Sequence, residues 1–184
     1  DALLSLGGRL VGFNGGFHPK LRIRDYAELF AKVRARYGTA IDFYEMTVAE
    51  FMFSCKVSKV SYAEGARILA DSGTRWVTGG GTEIREDGFR QRHSPGKYRV
   101  EDYYSAQAAI LAAGMGSTAT MVIGFDETLE ERLAHLERLR RFQDGAHAKW
   151  GRGLASFLCW TYKPWNNELG GEEITTQEYL RWLA

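Results

Sequence analysis

Short apolar runs alternate along the whole chain with longer stretches in which apolar residues recur at helical spacing. The short runs are rich in β-branched and aromatic residues, which favours strands. Five strands are predicted: Leu10–Phe13, Ala40–Tyr44, Arg75–Thr78, Ser117–Ile123 and Leu154–Tyr162. Because a helical stretch follows each of them, the pattern predicts about five βα units.

Capping residues mark where several of the helices begin. Ser61 with Glu64, and Thr128 with Glu131, have the spacing of a capping box, and Asp25 is expected to open the first long helix. Further helices are predicted from about Val48, over 100–113 and after Thr175, whereas the stretch between Thr78 and Val100 is predicted to be a long polar loop. The helix after Thr128 carries an apolar stripe expected to face the core: Leu129, Leu133, Leu136, Leu139 and Phe142.

Successive βα units imply parallel strands joined by right-handed crossovers, and hence an α/β fold. A dinucleotide-binding domain would carry Gly-x-Gly-x-x-Gly after its first strand, but this chain has Asn14-Gly-Gly-Phe-His-Pro19 there. We therefore predict a partial TIM-like (β/α) barrel, with residues 1–184 as a single domain. A complete eight-stranded barrel needs about 250 residues, and the chain opens on what reads as a helix end. We accordingly expect the N-terminal part of the barrel to be missing.

Composition narrows the choice of partners. The 24 basic and 23 acidic residues are interspersed and give a net charge of +1, which predicts neither nucleic-acid nor membrane binding. Cys55 and Cys159 lie far apart, and the four histidines lack ligand spacing, so no metal site is expected within the chain. With no long apolar run and no export signal at its start, the protein is expected to be cytoplasmic.

Polar residues and glycines gather where the predicted strands end, which is the end that carries the active site in parallel barrels. Consecutive glycines leave backbone N–H and C=O groups open to a charged ligand, although they also occur in simple tight turns. Nine residues at these ends are candidates for function: Gly15, Gly16, His18, Thr47, Glu50, Gly79, Gly80, Glu83 and Tyr162.

Six segments together carry a family resemblance. They are, in chain order, Asn14-Gly-Gly-Phe-His-Pro19, Gly79-Gly-Gly-Thr-Glu-Ile84, Arg90-Gln-Arg-His-Ser-Pro-Gly-Lys97, Thr118-Ala-Thr-Met121, Glu127-Thr-Leu-Glu-Glu-Arg132, and Trp160-Thr-Tyr-Lys-Pro164 with Asn167-Glu-Leu-Gly-Gly171. Over nearly its whole length the chain resembles the radical S-adenosylmethionine enzymes of the futalosine route to menaquinone, and most of all the dehypoxanthine futalosine cyclases. Aminofutalosine synthases and the synthases that form the deazaflavin chromophore are similar as well.

The resemblance implies a radical SAM barrel in which a 4Fe–4S cluster cleaves S-adenosylmethionine reductively, with electrons from an external donor. It also implies roles for these nine candidates and adds a tenth, Thr118, which lies within the fourth predicted strand. Gly15, Gly16, Thr47 and Glu50 would bind the cofactor, His18, Gly79, Gly80 and Thr118 the nucleoside-like substrate, and Glu83 and Tyr162 would be catalytic. The family's Cys-x-x-x-Cys-x-x-Cys loop does not occur in this sequence, so the cluster ligands are expected outside it.

Our hypothesis from the sequence is a cyclase that converts dehypoxanthine futalosine to its cyclic form, with this chain as an incomplete form that is inactive without the cysteine loop. An aminofutalosine synthase or a deazaflavin-forming synthase is the alternative within the same chemistry. A barrel that binds a nucleoside-like ligand without catalysis is the alternative from another class.

Overall fold

A computed structural model describes residues 1–81 and 83–183; Thr82, within the second glycine-rich motif, and Ala184 lie outside it. The helices are α1 Ala2–Ser5, α2 Ile23–Tyr37, α3 Val48–Ser58, α4 Tyr62–Asp71, α5 Asp87–His93, α6 Val100–Ala112, α7 Leu129–Trp150 and α8 Thr176–Leu183. The strands are β1 Leu10–Gly12, β2 Asp42–Tyr44, β3 Met46–Thr47, β4 Trp76–Thr78, β5 Gly116–Ser117, β6 Ala119–Ile123 and β7 Phe157–Thr161.

Every strand pairing is parallel, which confirms the predicted α/β class. The strands form three small sheets that follow one another in chain order: β1 with β2, then β3 with β4 and β5, then β6 with β7. The predicted strand Ser117–Ile123 is interrupted at Thr118, between β5 and β6. The predicted strand Ala40–Tyr44 corresponds to β2, and an interruption at Glu45 separates β2 from the short strand β3, which was not predicted. The described residues form no closed barrel.

The interruption at Glu45 has a clear physical cause. Its carboxylate accepts the backbone N–H groups of Arg75 (3.1 Å) and Trp76 (3.0 Å) and pairs with the Arg34 guanidinium at 3.2 Å. Burial raises the pKa of this carboxyl group, and the hydrogen bonds and Arg34 oppose that shift. Glu45, which follows the second predicted strand, is therefore a buried residue that connects β4 to α2 through hydrogen bonds and an ion pair.

The capping box predicted at α7 is confirmed, since Thr128 and Glu131 cap each other's backbone. At the start of α4, Ser61 accepts the N–H of Glu64, which is one of the two hydrogen bonds of the predicted box. Two other predictions are corrected. The first long helix begins at Ile23 rather than at Asp25, whose carboxylate accepts the N–H of Arg22. The polar stretch after the third predicted strand is interrupted by helix α5, which Glu86 caps by accepting the N–H of Phe89.

The apolar stripe predicted on α7 is wrong in part. Leu139 is buried, but Leu129 and Leu133 are 55% and 53% exposed. The helix instead turns polar side chains inward, with Arg132 and His135 buried. Arg132 pairs there with the buried carboxylate of Glu127 at 2.7 Å, so an ion pair that periodicity does not reveal sets the rotation of the helix.

Two apolar clusters flank the strands. The larger one packs α2, α3, α4 and α6 against β2 to β4 and contains Phe30, Phe43, Phe51 and Tyr103. The smaller one, around Met121, joins β6 and β7 to α5, α7 and α8. None of the helices in the described residues has the length and apolar character needed to cross a membrane.

His135 makes the stability of the fold depend on pH. Burial, together with the nearby Arg85 guanidinium, lowers the pKa of His135 well below 6.5. The unfolded chain therefore binds a proton at this histidine near pH 6.5, whereas the folded chain does not. As a result, the free energy of unfolding decreases as the pH falls below that value, by at most about 1.4 kcal/mol per pH unit.

Urea unfolding at pH 7.5 and 5.5 tests this expectation. His135→Asn should reduce the difference in stability between the two pH values because asparagine does not titrate, and its side-chain oxygen can still accept the Arg85 N–H. His147→Asn, on the exposed side of α7, is the matched control and should leave the pH dependence unchanged. An equal pH dependence in the wild type and His135→Asn would refute the assignment.

Candidate functional site

The glycine pair after β1 is held by a carboxylate from α3. Glu50 Oε1 accepts the N–H groups of Gly15 (2.6 Å) and Gly16 (2.7 Å). Its other oxygen, Oε2, accepts the backbone N–H and the hydroxyl of Thr47, both at 2.8 Å. Glu50 is only 7% exposed. One buried carboxylate thus fixes both the start of α3 and the glycine turn more than 30 residues earlier in the chain.

Thr47 connects this turn to the glycine-rich segment that follows β4. A Cβ atom placed on Gly80 would lie 3.1 Å from the Thr47 methyl group, so the two segments touch at this point. The parallel register of β3 and β4, which pairs Thr47 with Thr78, produces the contact. The ends of neighbouring parallel strands meet here, as the sequence predicted.

Gly79 is enclosed by hydrogen bonds from several elements. Its N–H donates to Thr118 Oγ1 at 3.0 Å, and its carbonyl accepts the hydroxyls of Tyr103 (2.6 Å) and Thr120 (2.9 Å). A Cβ atom at this position would lie 2.1 Å from the Thr118 carbonyl oxygen. Gly79 and Thr118 are therefore buried scaffold beneath the glycine-rich segment.

A buried cation supports the same scaffold. Arg85 is 1% exposed, its Nη2 lies 3.3 Å from the Tyr103 hydroxyl, and no carboxylate of the described residues pairs with it. Its guanidinium instead lies over the rings of Tyr103 (4.5 Å) and Tyr104 (5.1 Å). Cation–π attraction of this kind is strongest where water is excluded. The Arg85 backbone N–H also donates to His135 Nδ1 at 2.8 Å.

Glu83 lies at the edge of this scaffold, with a left-handed backbone (φ 45°). Its carboxylate is 3.4 Å from Lys97 Nζ and 3.7 Å from Arg90 Nη1. The Tyr98 hydroxyl donates to the Gly81 carbonyl, and burial raises the pKa of Tyr98. The segment between α5 and α6 therefore covers the glycine-rich segment and supplies a cation to Glu83.

Two candidates make their contacts elsewhere. His18 is exposed, and its Nδ1 accepts the N–H groups of Lys20 (3.3 Å) and Leu21 (3.2 Å) within its own turn. The Tyr162 hydroxyl lies 2.7 Å from Asn167 Oδ1 and 2.8 Å from the Gly170 carbonyl oxygen, and its single hydrogen is shared between these two acceptors. The other candidates form one connected group around the ends of β3 and β4: Gly15, Gly16, Thr47, Glu50, Gly79, Gly80 and Thr118, with Glu83 at its edge.

Tyr103, Thr120 and Arg85 belong to this group and were not predicted from the sequence. The sequence does contain a sign that α6 contributes to this group. Gln107, a polar residue, lies among the apolar residues of the buried face of α6, one turn after Tyr103. Gln107 Nε2 donates to the Thr118 carbonyl at 2.8 Å and to Ser117 Oγ at 3.1 Å. A polar residue within an apolar helix stripe therefore marked a buried hydrogen-bond network.

The cysteines do not provide a metal centre. Cys55 is fully buried, and burial raises the pKa of its thiol to about 12, which keeps it protonated. Cys159 is also buried. Among residues 1–81 and 83–183 no group of three or more histidine, cysteine or acidic side chains is arranged to hold a metal ion.

Comparison with known proteins confirms the resemblance noted from the sequence. The chain is 33% identical to the cyclic dehypoxanthine futalosine synthase of Halalkalibacterium halodurans over 182 residues, which is 98% of this chain and 48% of that protein. It is 31% identical to the enzyme of the same name from Streptomyces coelicolor, over 98% of this chain and 44% of that protein.

An aminodeoxyfutalosine synthase from Thermus thermophilus is 31% identical over 170 residues, covering 90% of this chain and 44% of that protein. The chain therefore spans about half the length of the curated relatives it matches. No protein-family model matches it.

Proposed function

Since the chain is homologous, over nearly its whole length, to the cyclic dehypoxanthine futalosine synthases, we propose that it forms the ligand-binding part of a radical S-adenosylmethionine cyclase of menaquinone biosynthesis. The proposed reaction converts dehypoxanthine futalosine to its cyclic form in the cytoplasm, with an external electron donor. The observation that supports the proposal most is the connected group of glycine turns held by Glu50 and Thr118 at the ends of successive parallel strands. In this proposal the three small sheets are part of a TIM-like barrel and the group lies at its active-site end.

The residues around Gly15 and Gly16 fit S-adenosylmethionine. Glu50 already accepts the N–H groups of Gly15 and Gly16, so these groups are not free to bind a ligand. The carbonyl oxygens of the turn accept no hydrogen bond from the described residues and can therefore bind a donor on the ligand. Carbonyl oxygens attract an ammonium group, and the methionine moiety carries one. A Cβ atom on Gly16 would meet nothing within 4 Å, so a ligand can approach this backbone closely. When bound, S-adenosylmethionine would supply the radical that abstracts hydrogen from the substrate.

Thr47 and Glu50 act in this proposal through the glycine turn. The hydroxyl of Thr47 and both carboxylate oxygens of Glu50 are already hydrogen-bonded within the chain. Their role is therefore to position the turn. Gly79 and Thr118 position the segment that carries Gly80 in the same way, so that Gly80 is the member of this set that contacts substrate.

Glu83 is proposed to accept a hydrogen bond from a substrate hydroxyl, with Lys97 and Arg90 holding its carboxylate in place. Tyr162 contributes indirectly, since its hydroxyl fixes the segment over 163–171 that follows β7. His18 is exposed on the turn after β1, where it can reach a ligand bound at the glycine pair.

The 4Fe–4S cluster does not fit the described residues. Three thiolates would be required, whereas this chain has two cysteines, both buried, and the thiol of Cys55 stays protonated. No step of the proposal is therefore assigned to cluster ligands in this chain. The proposed contribution of this chain is to bind and orient S-adenosylmethionine and the substrate.

Nuclear magnetic resonance tests this function on the 184-residue protein. Titration with S-adenosylmethionine should shift the amide signals of Gly15 and Gly16, and dehypoxanthine futalosine should then shift those of Gly80 and Glu83. Inosine, a nucleoside without the benzoate group, is the control and should bind at least about tenfold more weakly. The absence of any shift at Gly15 and Gly16 at millimolar S-adenosylmethionine would refute the proposal.

A further inference from the structure

A cavity of about 650 Å³ lies at the opposite end of the strands from the candidate site. Trp76, the first residue of β4, lines this cavity, whereas Gly79 of the candidate site follows the last residue of β4. We call it the basal cavity. The described residues that line it are all different from the candidate residues. Its volume is within the range of small-molecule sites, about 300 to 1,000 Å³.

Two half-buried indole rings line the basal cavity. The Trp76 ring lies across Gly116, where a Cβ atom would be 2.5 Å from two of the ring atoms, and it meets the Tyr44 ring edge-on at a centroid distance of 5.7 Å. Trp150 is the last residue of α7. Because indole rings offer a large apolar surface and attract other rings in offset or edge-on geometry, this lining favours an aromatic ligand.

Two guanidinium groups line the same cavity. Arg75 and Arg152 are exposed, and neither forms an ion pair with a residue that the structure describes. Arg152 Nη1 donates to the Gly114 carbonyl at 2.6 Å, and the Arg75 carbonyl accepts the N–H of Gly116 at 2.8 Å. Both arginines are therefore fixed beside the same short segment. No acidic side chain of the described residues lines the cavity, so its side chains carry a net positive charge.

The backbone at this end of the fold reduces the positive charge without cancelling it. Helices α4, α6 and α7 all end at the cavity. Each helix C-terminus carries about half a negative elementary charge, or about one and a half for the three. The two guanidinium charges exceed this sum, and Lys149 Nζ, 5.2 Å from the centroid of the Trp150 ring, adds a third cation nearby. The basal cavity therefore favours an anion.

We propose that the basal cavity binds an aromatic phosphate ester, such as a nucleoside monophosphate, with the ring against Trp76 and Trp150 and the phosphate at Arg75 and Arg152. The N–H groups of a guanidinium match the spacing of phosphate oxygens. A phosphate ester carries nearly two negative charges at pH 7.5 and can pair with both arginines, whereas a carboxylate carries only one. The ring would supply most of the affinity, because exposed ion pairs contribute little.

Three probes separate the contributions of the ring and the charge. Phenyl phosphate has the ring and two charges, inorganic phosphate has no ring, and benzoate has the ring with one charge. Titrations at pH 7.5 and low ionic strength, followed by the indole N–H signals of Trp76 and Trp150, should give a Kd for phenyl phosphate on the order of 1 mM. Inorganic phosphate and benzoate should each bind at least about threefold more weakly. AMP should shift the same two signals.

Variants test the ring and the charge individually. Arg75→Gln should weaken phenyl phosphate about threefold, whereas Arg138→Gln, which changes an arginine on α7 outside the cavity, should leave its Kd unchanged. Trp150→Leu should weaken phenyl phosphate about threefold and leave inorganic phosphate unchanged. Arg75 and Arg138 are exposed and Trp150 lies at a helix end, so these variants are expected to fold.

The proposal is overturned if phenyl phosphate binds no more tightly than inorganic phosphate or benzoate, or if Arg75→Gln and Arg138→Gln have equal effects. It is also overturned if AMP leaves the signals of Trp76 and Trp150 unchanged. Trp160 and Trp165, both exposed outside the cavity, supply reference signals that should not shift. Because the lining shares no residue with the proposed S-adenosylmethionine and substrate site, failure of one site is distinguishable from failure of the other.

Discussion

Glu50→Gln is expected to lower the free energy of unfolding by about 3 kcal/mol and to weaken S-adenosylmethionine binding by more than about tenfold. Both carboxylate oxygens face donors, two N–H groups at Oε1 and an N–H and a hydroxyl at Oε2. Glutamine replaces one of these oxygens with an NH₂ group, so that donors face donors in a buried position. The glycine turn and the start of α3 would both lose their common support.

Urea unfolding and amide hydrogen exchange measure this effect. The exchange rates of the Gly15 and Gly16 N–H groups should rise at least about tenfold in Glu50→Gln, since local opening of the turn becomes easier. Glu64→Gln is the matched control, because Glu64 occupies the same first-turn position in α4 and is exposed. It should change stability by less than about 0.5 kcal/mol. Equal effects in the two variants would show that Glu50 does not hold the glycine turn against the start of α3.

Gly79→Ala is expected to destabilise the protein by about 3 kcal/mol or more, although it adds only one methyl group. The new Cβ atom would lie 2.1 Å from the Thr118 carbonyl oxygen and 2.8 Å from the Ala119 Cα atom. Both neighbours are backbone atoms, which cannot rotate away as a side chain can, so β4 and β6 would have to separate. The hydrogen bond from the Gly79 N–H to Thr118 would be strained at the same time.

Thermal unfolding should show a fall in Tm of roughly 10 °C, at 2 to 4 °C per kcal/mol for a chain of this size. Gly145→Ala provides the opposite expectation, because Gly145 lies within α7 and a Cβ atom there meets nothing within 4 Å. Alanine at that position should raise stability by about 0.5 to 1 kcal/mol. A similar Tm for the two variants would contradict the packing described at Gly79.

The secondary structure was predictable wherever a signal is carried by neighbouring residues. The Thr128 capping box and the β-branched run around Met121 each act over a few residues, and both are confirmed. The rotation of α7 was not predictable from its leucines, because the buried ion pair of Arg132 with Glu127 sets it. Helix α5 was missed because its sequence, Asp87-Gly-Phe-Arg-Gln-Arg-His93, is short and polar and its stability comes from packing of Phe89.

The candidate site was partly predictable for the same reason. Strand ends with glycines are visible in the sequence, and parallel pairing brings them together, so the neighbourhood of Thr47 and Gly80 followed from topology. The donors and acceptors that hold these turns were not predictable, because they come from residues distant in sequence. Tyr103 reaches Gly79 from a helix that begins more than 20 residues later.

The sequence by itself determined the alternation of strands and helices, the positions of the glycine turns and the resemblance to the futalosine-pathway enzymes, since each depends on residue order alone. Only the tertiary structure decided that Glu50 holds the first glycine turn and that Glu45 is buried between β4 and α2. It also decided that the Arg85 guanidinium lies over two tyrosine rings, with no carboxylate partner in the part of the chain that the structure describes. These features arise because burial removes water. A buried polar group must then find its partner wherever the fold places one, at any separation along the chain.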